Sequence, residues 1–155
     1  MKRFFLLSFI TTFLFLTIGC SSDDNSPSIN GESILGKWKA MTLDTKVLKD
    51  NAVVEEQKDY PAHEHAIITV NFKQNNVMEY YFKNLDDANA DEINQTGTYS
   101  INGTTLSFNL NELGENSVQI LLLNNTTLKV QLKPEPFEKE GIQYTRINTL
   151  TLTKM

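Results

Sequence analysis

The sequence is poor in the residues that cross-link a chain or break it into irregular segments. Of its 155 residues, one is cysteine, four are proline and seven are glycine. A single cysteine cannot form a disulfide within the chain, so the fold must be held together by its hydrophobic core. The low proline and glycine content excludes a collagen-like or low-complexity stalk.

Long apolar segments are also missing outside the N-terminus. The apolar run Phe4–Ile18 is shorter than the roughly 20 residues of a membrane-spanning helix. Lys2 and Arg3 precede this run and Gly19 follows it, and this order of basic start, short apolar run and small residue is typical of a secretory signal peptide. We therefore predict a signal peptide over residues 1–19; an uncleaved membrane anchor is the alternative.

Basic residues are in the minority. The chain has 14 Lys and Arg against 19 Asp and Glu, a formal charge of −5. Residues 1–19 contain two basic residues and no acidic one, so their removal would take this charge to −7. Nucleic-acid binding needs clustered Lys and Arg, so we expect no nucleic-acid partner.

Residues 33–155 suffice for one domain with its own core, and we expect a monomer.

Motifs that carry catalysis are missing as well. The sequence has no glycine-rich phosphate loop, and no recognisable serine motif lies near either of its two histidines. The acidic pairs in the chain are more typical of surface loops than of general acid–base sites. We therefore predict no catalytic residues, no cofactor and no enzymatic activity.

Two segments have some of the character of metal sites. His63 and His65 could ligate zinc or copper if a third ligand converged on them, but an ordinary polar loop is the simpler interpretation. Asp87–Asp91 has the alternating oxygen ligands of a calcium loop, yet Glu92 and Thr98 stand where an EF-hand needs Gly and Glu. We expect no metal site, and a looser calcium site at 87–91 stays open.

The single cysteine lies directly after the apolar run. Thr17-Ile18-Gly19-Cys20 resembles a bacterial lipobox, with Thr17 where Leu is usual, and this implies that Cys20 carries a diacylglycerol and an N-acyl chain such as palmitate. Ser21–Asn25, which contains two aspartates, resembles the export signal of Bacteroidetes surface lipoproteins. These resemblances imply a lipid anchor in the outer membrane, exposed at the cell surface, with residues 20–32 as a flexible linker. An anchor facing the periplasm is the alternative.

Alternation of apolar and polar residues dominates the chain after residue 64. Seven such segments, together with the one from Leu35 to about Leu43, predict eight strands. Lys73–Asn76, Asn102-Gly103 and Asn124-Asn125 predict turns between them. Eight antiparallel strands with one apolar face each favour an all-β, up-and-down barrel, with a two-sheet sandwich as the alternative.

A family resemblance supports the barrel. Gly36-Lys37-Trp38, at the start of the first predicted strand, resembles the lipocalin and calycin signature. The segments Gly97–Gly103 and Leu150–Thr153 resemble the small lipocalin-like domains of Bacteroidetes lipoproteins. The resemblance covers about residues 33–155. It implies a lipocalin-like barrel in which Asp44–His65 forms a long loop over the mouth.

In lipocalins a tryptophan plugs the closed end of the barrel beneath an arginine of the last strand. Trp38 matches the tryptophan. Arg146 is the only arginine after residue 19 and falls in the last predicted strand, but it precedes the end of that strand by more residues than the family pattern has. The resemblance therefore implies a closed end at Trp38 and leaves the role of Arg146 open.

Inward-facing aromatic residues could either fill the barrel or line a cavity. The residues that we predict as candidate lining are Trp38, Phe72, Tyr80, Tyr99, Phe108, Tyr144 and Arg146. The family resemblance implies a lipid-anchored protein that holds a small apolar or amphipathic ligand in its barrel. The alternative is a surface-displayed interaction module with a filled barrel that contacts a protein or glycan through its loops.

Overall fold

A computed structural model describes residues 31–155, so the predicted signal peptide, Cys20 and nearly all of the predicted linker lie outside the described residues. The strands are β1 (Gly36–Lys49), β2 (Ala52–Tyr60), β3 (Ala66–Phe72), β4 (Val77–Asn84), β5 (Ile93–Asn102), β6 (Thr105–Leu110), β7 (Gly114–Leu123), β8 (Thr127–Gln131), β9 (Glu135–Lys139) and β10 (Ile142–Lys154). The helices are α1 (Gly31–Ile34) and α2 (Ala62–His65), and Gln74–Asn76 forms a 3₁₀ turn. Within residues 31–155, no helix is long and apolar enough to cross a membrane.

Eight of these strands close into a barrel. Each of β3 to β7 pairs antiparallel with the next strand, β1 pairs with β3, and β10 pairs with both β8 and β1. The predicted all-β, eight-stranded antiparallel barrel is therefore confirmed. The hairpin turn between β5 and β6 lies one residue later than predicted, at Gly103-Thr104, because Asn102 already pairs with Thr105.

The predicted loop over residues 44–65 is wrong. β1 continues to Lys49, turns at Asp50-Asn51, and returns as β2, which pairs with the second half of β1. Asp50 and Asn51 have φ values of 50° and 64°, a left-handed conformation that Asp and Asn tolerate and that a two-residue hairpin turn requires. The predicted polar loop around the two histidines is also replaced, by the single helical turn α2.

The two longest strands extend beyond the barrel. β1 pairs with β3 along Gly36–Lys39 and with β2 from Leu43 onward. β10 pairs with β8 along Thr149–Thr153 and with β9 along Ile142–Arg146. Because β1 and β10 pair with each other throughout, the order β2-β1-β10-β9 forms a four-stranded extension at one end of the barrel. Below we call this end the mouth.

The opposite end of the barrel is closed by a packed core. Trp38 is fully buried, and its Nε1 donates a hydrogen bond of 2.7 Å to the Ile34 carbonyl oxygen of α1. Phe72 and Tyr99 meet edge to face, with ring centroids 5.0 Å apart. The buried residues around them are Ile34, Ala40, Met78, Leu106, Leu110, Ile120, Leu128, Val130 and Leu152. This end therefore resembles an ordinary protein interior.

Two glycines permit close approaches that the barrel needs. Gly36 has a φ of 118°, and a Cβ there would lie 2.7 Å from Cε of Lys154. A Cβ at Gly97 would lie 1.9 Å from the Asn109 carbonyl oxygen on the neighbouring strand, closer than any side chain could fit. Glycine is therefore required at both positions, in the Gly-x-Trp pattern and in β5, because a larger side chain would not fit.

Candidate functional site

The face of β1 and β10 that lines the barrel continues into the mouth. In the β1–β10 register, Leu43 pairs with Leu150 and Val47 with Arg146. Residues paired in this way project on the same side of a sheet. Leu150 packs against the barrel core, so the side chains that follow it on this face lie directly beyond the open end of the core.

An open groove of about 650 Å³ occupies this face of the extension. Its apolar and aromatic lining residues are Leu43, Val47, Val54, Phe137 and Tyr144; its polar ones are Thr45, Gln57 and Asn148; its charged ones are Glu55, Lys139 and Arg146. The volume lies within the range of roughly 300–1,000 Å³ of small-molecule sites. The groove is thus lined by five apolar or aromatic side chains and six polar or charged ones.

A stack of two rings and a cation forms the β9–β10 side of the groove. Phe137 and Tyr144 pair across the two strands, and their rings stack with centroids 5.4 Å apart and an interplanar angle of 20°. The guanidinium carbon of Arg146 lies 5.0 Å from the centre of the Phe137 ring. A cation over an aromatic face at an exposed site is stabilised by about 0.5–1 kcal/mol. The stack therefore gives the guanidinium a preferred place on the groove wall.

The central part of the groove has a polar pair. Thr45 of β1 pairs with Asn148 of β10, and the Thr45 hydroxyl donates a hydrogen bond of 3.0 Å to Oδ1 of Asn148. Both residues are half-buried. They give the groove a hydrogen-bonding centre between its aromatic side and the barrel core.

Asp44 precedes Thr45 in β1 and lies on the face of the sheet opposite the groove, where it links strands of the extension and the barrel. Its carboxylate accepts hydrogen bonds from the Asp59 backbone N–H at 2.9 Å and from Nζ of Lys129 at 3.0 Å. The bond from Asp59 is the largest cause of a lowered Asp44 pKa; Lys129 also lowers it, and burial works in the opposite direction. One carboxylate therefore ties β1 to β2 and to β8.

The seven predicted lining residues fall into two groups. Trp38, Phe72 and Tyr99 are buried at the closed end, and the Tyr99 hydroxyl donates to the Lys73 carbonyl oxygen at 3.2 Å. Tyr80 and Phe108 are half-buried and pack against that core, and burial raises the pKa of Tyr80. Only Tyr144 and Arg146 lie in the mouth groove. Whether any of the seven contacts a ligand stays a prediction.

Several groove residues were missed from the sequence. Phe137 belongs to β9, a five-residue strand that contains Pro136 and has no clear alternation. Thr45 and Gln57 fall in the segment that was predicted to be a loop. A usable signal was the Asp50-Asn51 pair between two apolar stretches, which is typical of a hairpin turn.

Other depressions lie on the outside of the sheet. One of about 700 Å³ is lined mainly by hydroxyl and amide side chains of β5 to β7, with Tyr99 and Phe108 at its edge. Another of about 560 Å³ lies over β1, β3 and β4, with Tyr80 and Tyr81 among its lining residues. Both are lined mainly by side chains that project away from the core, whereas the mouth groove adjoins the core directly.

The two histidines contact different polar partners. Nδ1 of His63 lies 2.9 Å from the Met41 carbonyl oxygen. Nδ1 of His65 lies 2.9 Å from the Asp86 carboxylate. In the segment Asp87–Asp91, a carboxylate oxygen of Asp87 accepts a hydrogen bond from the Asn89 backbone. Across residues 31–155, no group of three or more His, Cys, Asp or Glu is placed to hold a metal ion.

Comparison with known proteins identifies one family and several similar solved structures. The sequence model of a family described as a lipocalin-like domain matches residues 34–130. Similar solved structures include a lipocalin-like protein from Bacteroides uniformis (14% identity, 79% of this chain and 99% of that chain, TM-score 0.46) and an uncharacterised protein from Bacteroides eggerthii (13%, 78% and 98%, 0.44). A bovine odorant-binding protein in complex with a selenium-containing odorant is also similar (15%, 82% and 73%, 0.44). No curated protein matches the sequence.

Proposed function

The chain belongs to the family of lipocalin-like domains, and from this premise we propose that it is a lipid-anchored binding protein. Its ligand is a small apolar or amphipathic molecule held at the mouth of the barrel. The observation that carries this proposal is the groove of about 650 Å³ that continues the inner face of the barrel. Its apolar and aromatic side chains can contact the apolar part of such a molecule, and its polar and charged side chains can orient the polar part.

The packing of the barrel favours the mouth over the interior. Trp38, Phe72 and Tyr99 fill the closed end with ring and aliphatic contacts. An eight-stranded barrel is just wide enough for its side chains to fill it, and side chains of this size leave little room for a ligand. We therefore place the ligand between the β1–β2 and β9–β10 hairpins, where only Tyr144 and Arg146 of the predicted lining residues lie.

The proposed anchor fits this arrangement. The described chain begins with α1, whose Ile34 packs against Trp38 at the closed end of the barrel. A lipid on Cys20 would connect to this end through 10 residues, Ser21–Asn30, which can reach about 35 Å at most. The mouth would then be the end of the domain farther from the anchor.

The anchor and its location can be tested in cells. Labelling with a palmitate analogue should mark the wild-type protein and should fail to mark Cys20→Ser. Protease added to intact cells should degrade the lipidated protein if it is displayed at the surface. Protection from the protease until the outer membrane is opened would contradict surface display and place the protein on the periplasmic side.

Ligand binding can be tested with the mature chain carrying Cys20→Ser, which stays in solution. Native mass spectrometry should detect a bound species that is lost on denaturation. Gln57→Trp, on an exposed groove position, should abolish it by filling the groove. Gln143→Trp, an exposed position of β10 outside the groove, is the matched control and should retain it. Retention of the species by both variants would contradict a groove site.

A second function is favoured by the exposed edge of β2. All of its residues except Tyr60 are exposed, and Val53 and Val54 are more than half exposed. β2 pairs with β1 alone, so its other edge is open to a strand of a protein partner. A mature chain that carries no ligand, together with a partner whose binding is lost when Val53→Lys is introduced on β2 outside the groove, would favour this interaction module.

A further inference from the structure

The charge of the groove differs from that of the chain around it. The chain has a formal charge of −5. The charged lining residues of the groove are two cations, Arg146 and Lys139, and one carboxylate, Glu55; Glu135, which pairs with Arg146 in the β9–β10 register, is not among them. A positive surplus inside an acidic protein attracts anions locally and discriminates against cations, which would meet two like charges.

Arg146 is free to pair with a ligand. The structure describes six ion pairs within residues 31–155, and none of them includes Arg146 or Lys139. By contrast, Lys46, Lys73 and Lys129 each contact a carboxylate. The guanidinium of Arg146 is exposed and lies over the Phe137 ring, so its N–H donors are available from the groove side.

The surroundings of Arg146 suit a molecule with one charged end. Val47, which pairs with Arg146 in the register, is buried, and Phe137 and Tyr144 form the adjacent aromatic wall. A guanidinium binds carboxylates through two parallel hydrogen bonds, and its rigid planar shape loses little freedom in doing so. Apolar surface within reach of such a group is the complement of an amphipathic anion.

We propose that the ligand of the groove is an amphipathic carboxylate, whose charged head pairs with Arg146 and whose apolar part lies against Phe137 and Val47. This inference rests on the proposed function, because it names the ligand class of the same groove. It goes further in requiring a negative charge on the ligand, which the proposed function does not require.

The test compares two probes with the same tail, dodecanoate and dodecanol, on the mature chain carrying Cys20→Ser. Calorimetric titration should show dodecanoate binding that weakens about three- to tenfold in Arg146→Gln, the size of a partly exposed ion pair. Lys133→Gln removes the same charge from an exposed residue outside the groove and should leave the affinity unchanged. Dodecanol should bind more weakly than dodecanoate and respond to neither substitution.

The outcomes separate the inference from the proposed function. Equal binding of dodecanol and dodecanoate, or dodecanoate binding unchanged by Arg146→Gln, would overturn the carboxylate and leave the groove as an apolar site. If both probes bind and Gln57→Trp weakens neither, the groove is not the binding site. If the wild-type chain binds neither probe, the inference fails together with the apolar or amphipathic ligand on which it rests.

Discussion

Nζ of Lys154 lies 5.2 Å from the centre of the Trp38 ring, at the closed end of the barrel. The two residues pair across β1 and β10, and the Lys154 side chain passes over Gly36, where any Cβ would obstruct it. Arg146 lies instead on Phe137 in the groove. The cation above the buried tryptophan is therefore a lysine eight residues later, and this leaves the arginine at the mouth.

Removing this lysine should destabilise the barrel and uncover the tryptophan. We expect Lys154→Ala to lower the free energy of unfolding by about 1 kcal/mol, from the cation–π contact and the buried aliphatic stem. Trp38 is the only tryptophan of the chain, so its fluorescence should shift to the red and become easier to quench. Lys154→Arg should retain both properties. An unchanged emission spectrum in Lys154→Ala would show that the lysine does not cover the ring.

Gly97 should be intolerant of any side chain. Because a Cβ would lie 1.9 Å from the Asn109 carbonyl oxygen, the backbones of β5 and β6 would have to separate. We expect Gly97→Ala to cost about 3 kcal/mol or more, as overpacking in a rigid region does. Gly103→Ala, with nothing within 4 Å of the new methyl, is the control and should cost only about 1 kcal/mol. Urea unfolding of both variants measures the difference.

The pKa of Asp44 predicts how stability depends on pH. The Asp59 hydrogen bond and Lys129 lower this pKa in the folded state, so the unfolded chain takes up the proton first. The stabilisation is complete well above the unfolded pKa of about 3.9 and is lost as the pH falls through the folded value. We expect Asp44→Asn to cost about 1 kcal/mol at neutral pH and progressively less below about pH 4. A difference that stays constant between neutral and acidic pH would contradict this role.

The extension should open more readily than the barrel. The backbone of β2 pairs on one side only, and its side chains are exposed up to Tyr60, whereas β5 pairs on both sides and contributes Tyr99 to the core. We expect amide hydrogens of β2 and β9 to exchange about a hundredfold faster than those of β5 and β6, because local opening exposes few apolar contacts. A saturating groove ligand should slow exchange in β2 and β9 and leave β5 and β6 unchanged. Equal rates in all four strands would show that the extension opens only with the whole barrel.

The barrel could be predicted from the sequence alone. Period-two alternation shows in strands such as β5 and β8 because one side of each is more buried than the other. The closed end at Trp38 was predicted from the resemblance of Gly36-x-Trp38 to the lipocalin signature, and Trp38 is fully buried there. Tyr144 and Arg146 were predicted as lining residues from their place in the last strand.

The position of the groove could not be predicted from the sequence, because it depends on how distant strands pair. β2 has no buried face, so its sequence lacks the alternation by which a strand is recognised. The contacts of Arg146 with Phe137 and of Lys154 with Trp38 follow from the registers of β10 with β9 and β1. Register depends on pairing between segments far apart in the chain, and this pairing is not encoded in the local pattern of either segment. The closed end of the barrel could therefore be predicted from the sequence. The mouth groove could not, because it forms only when segments far apart in the chain pair.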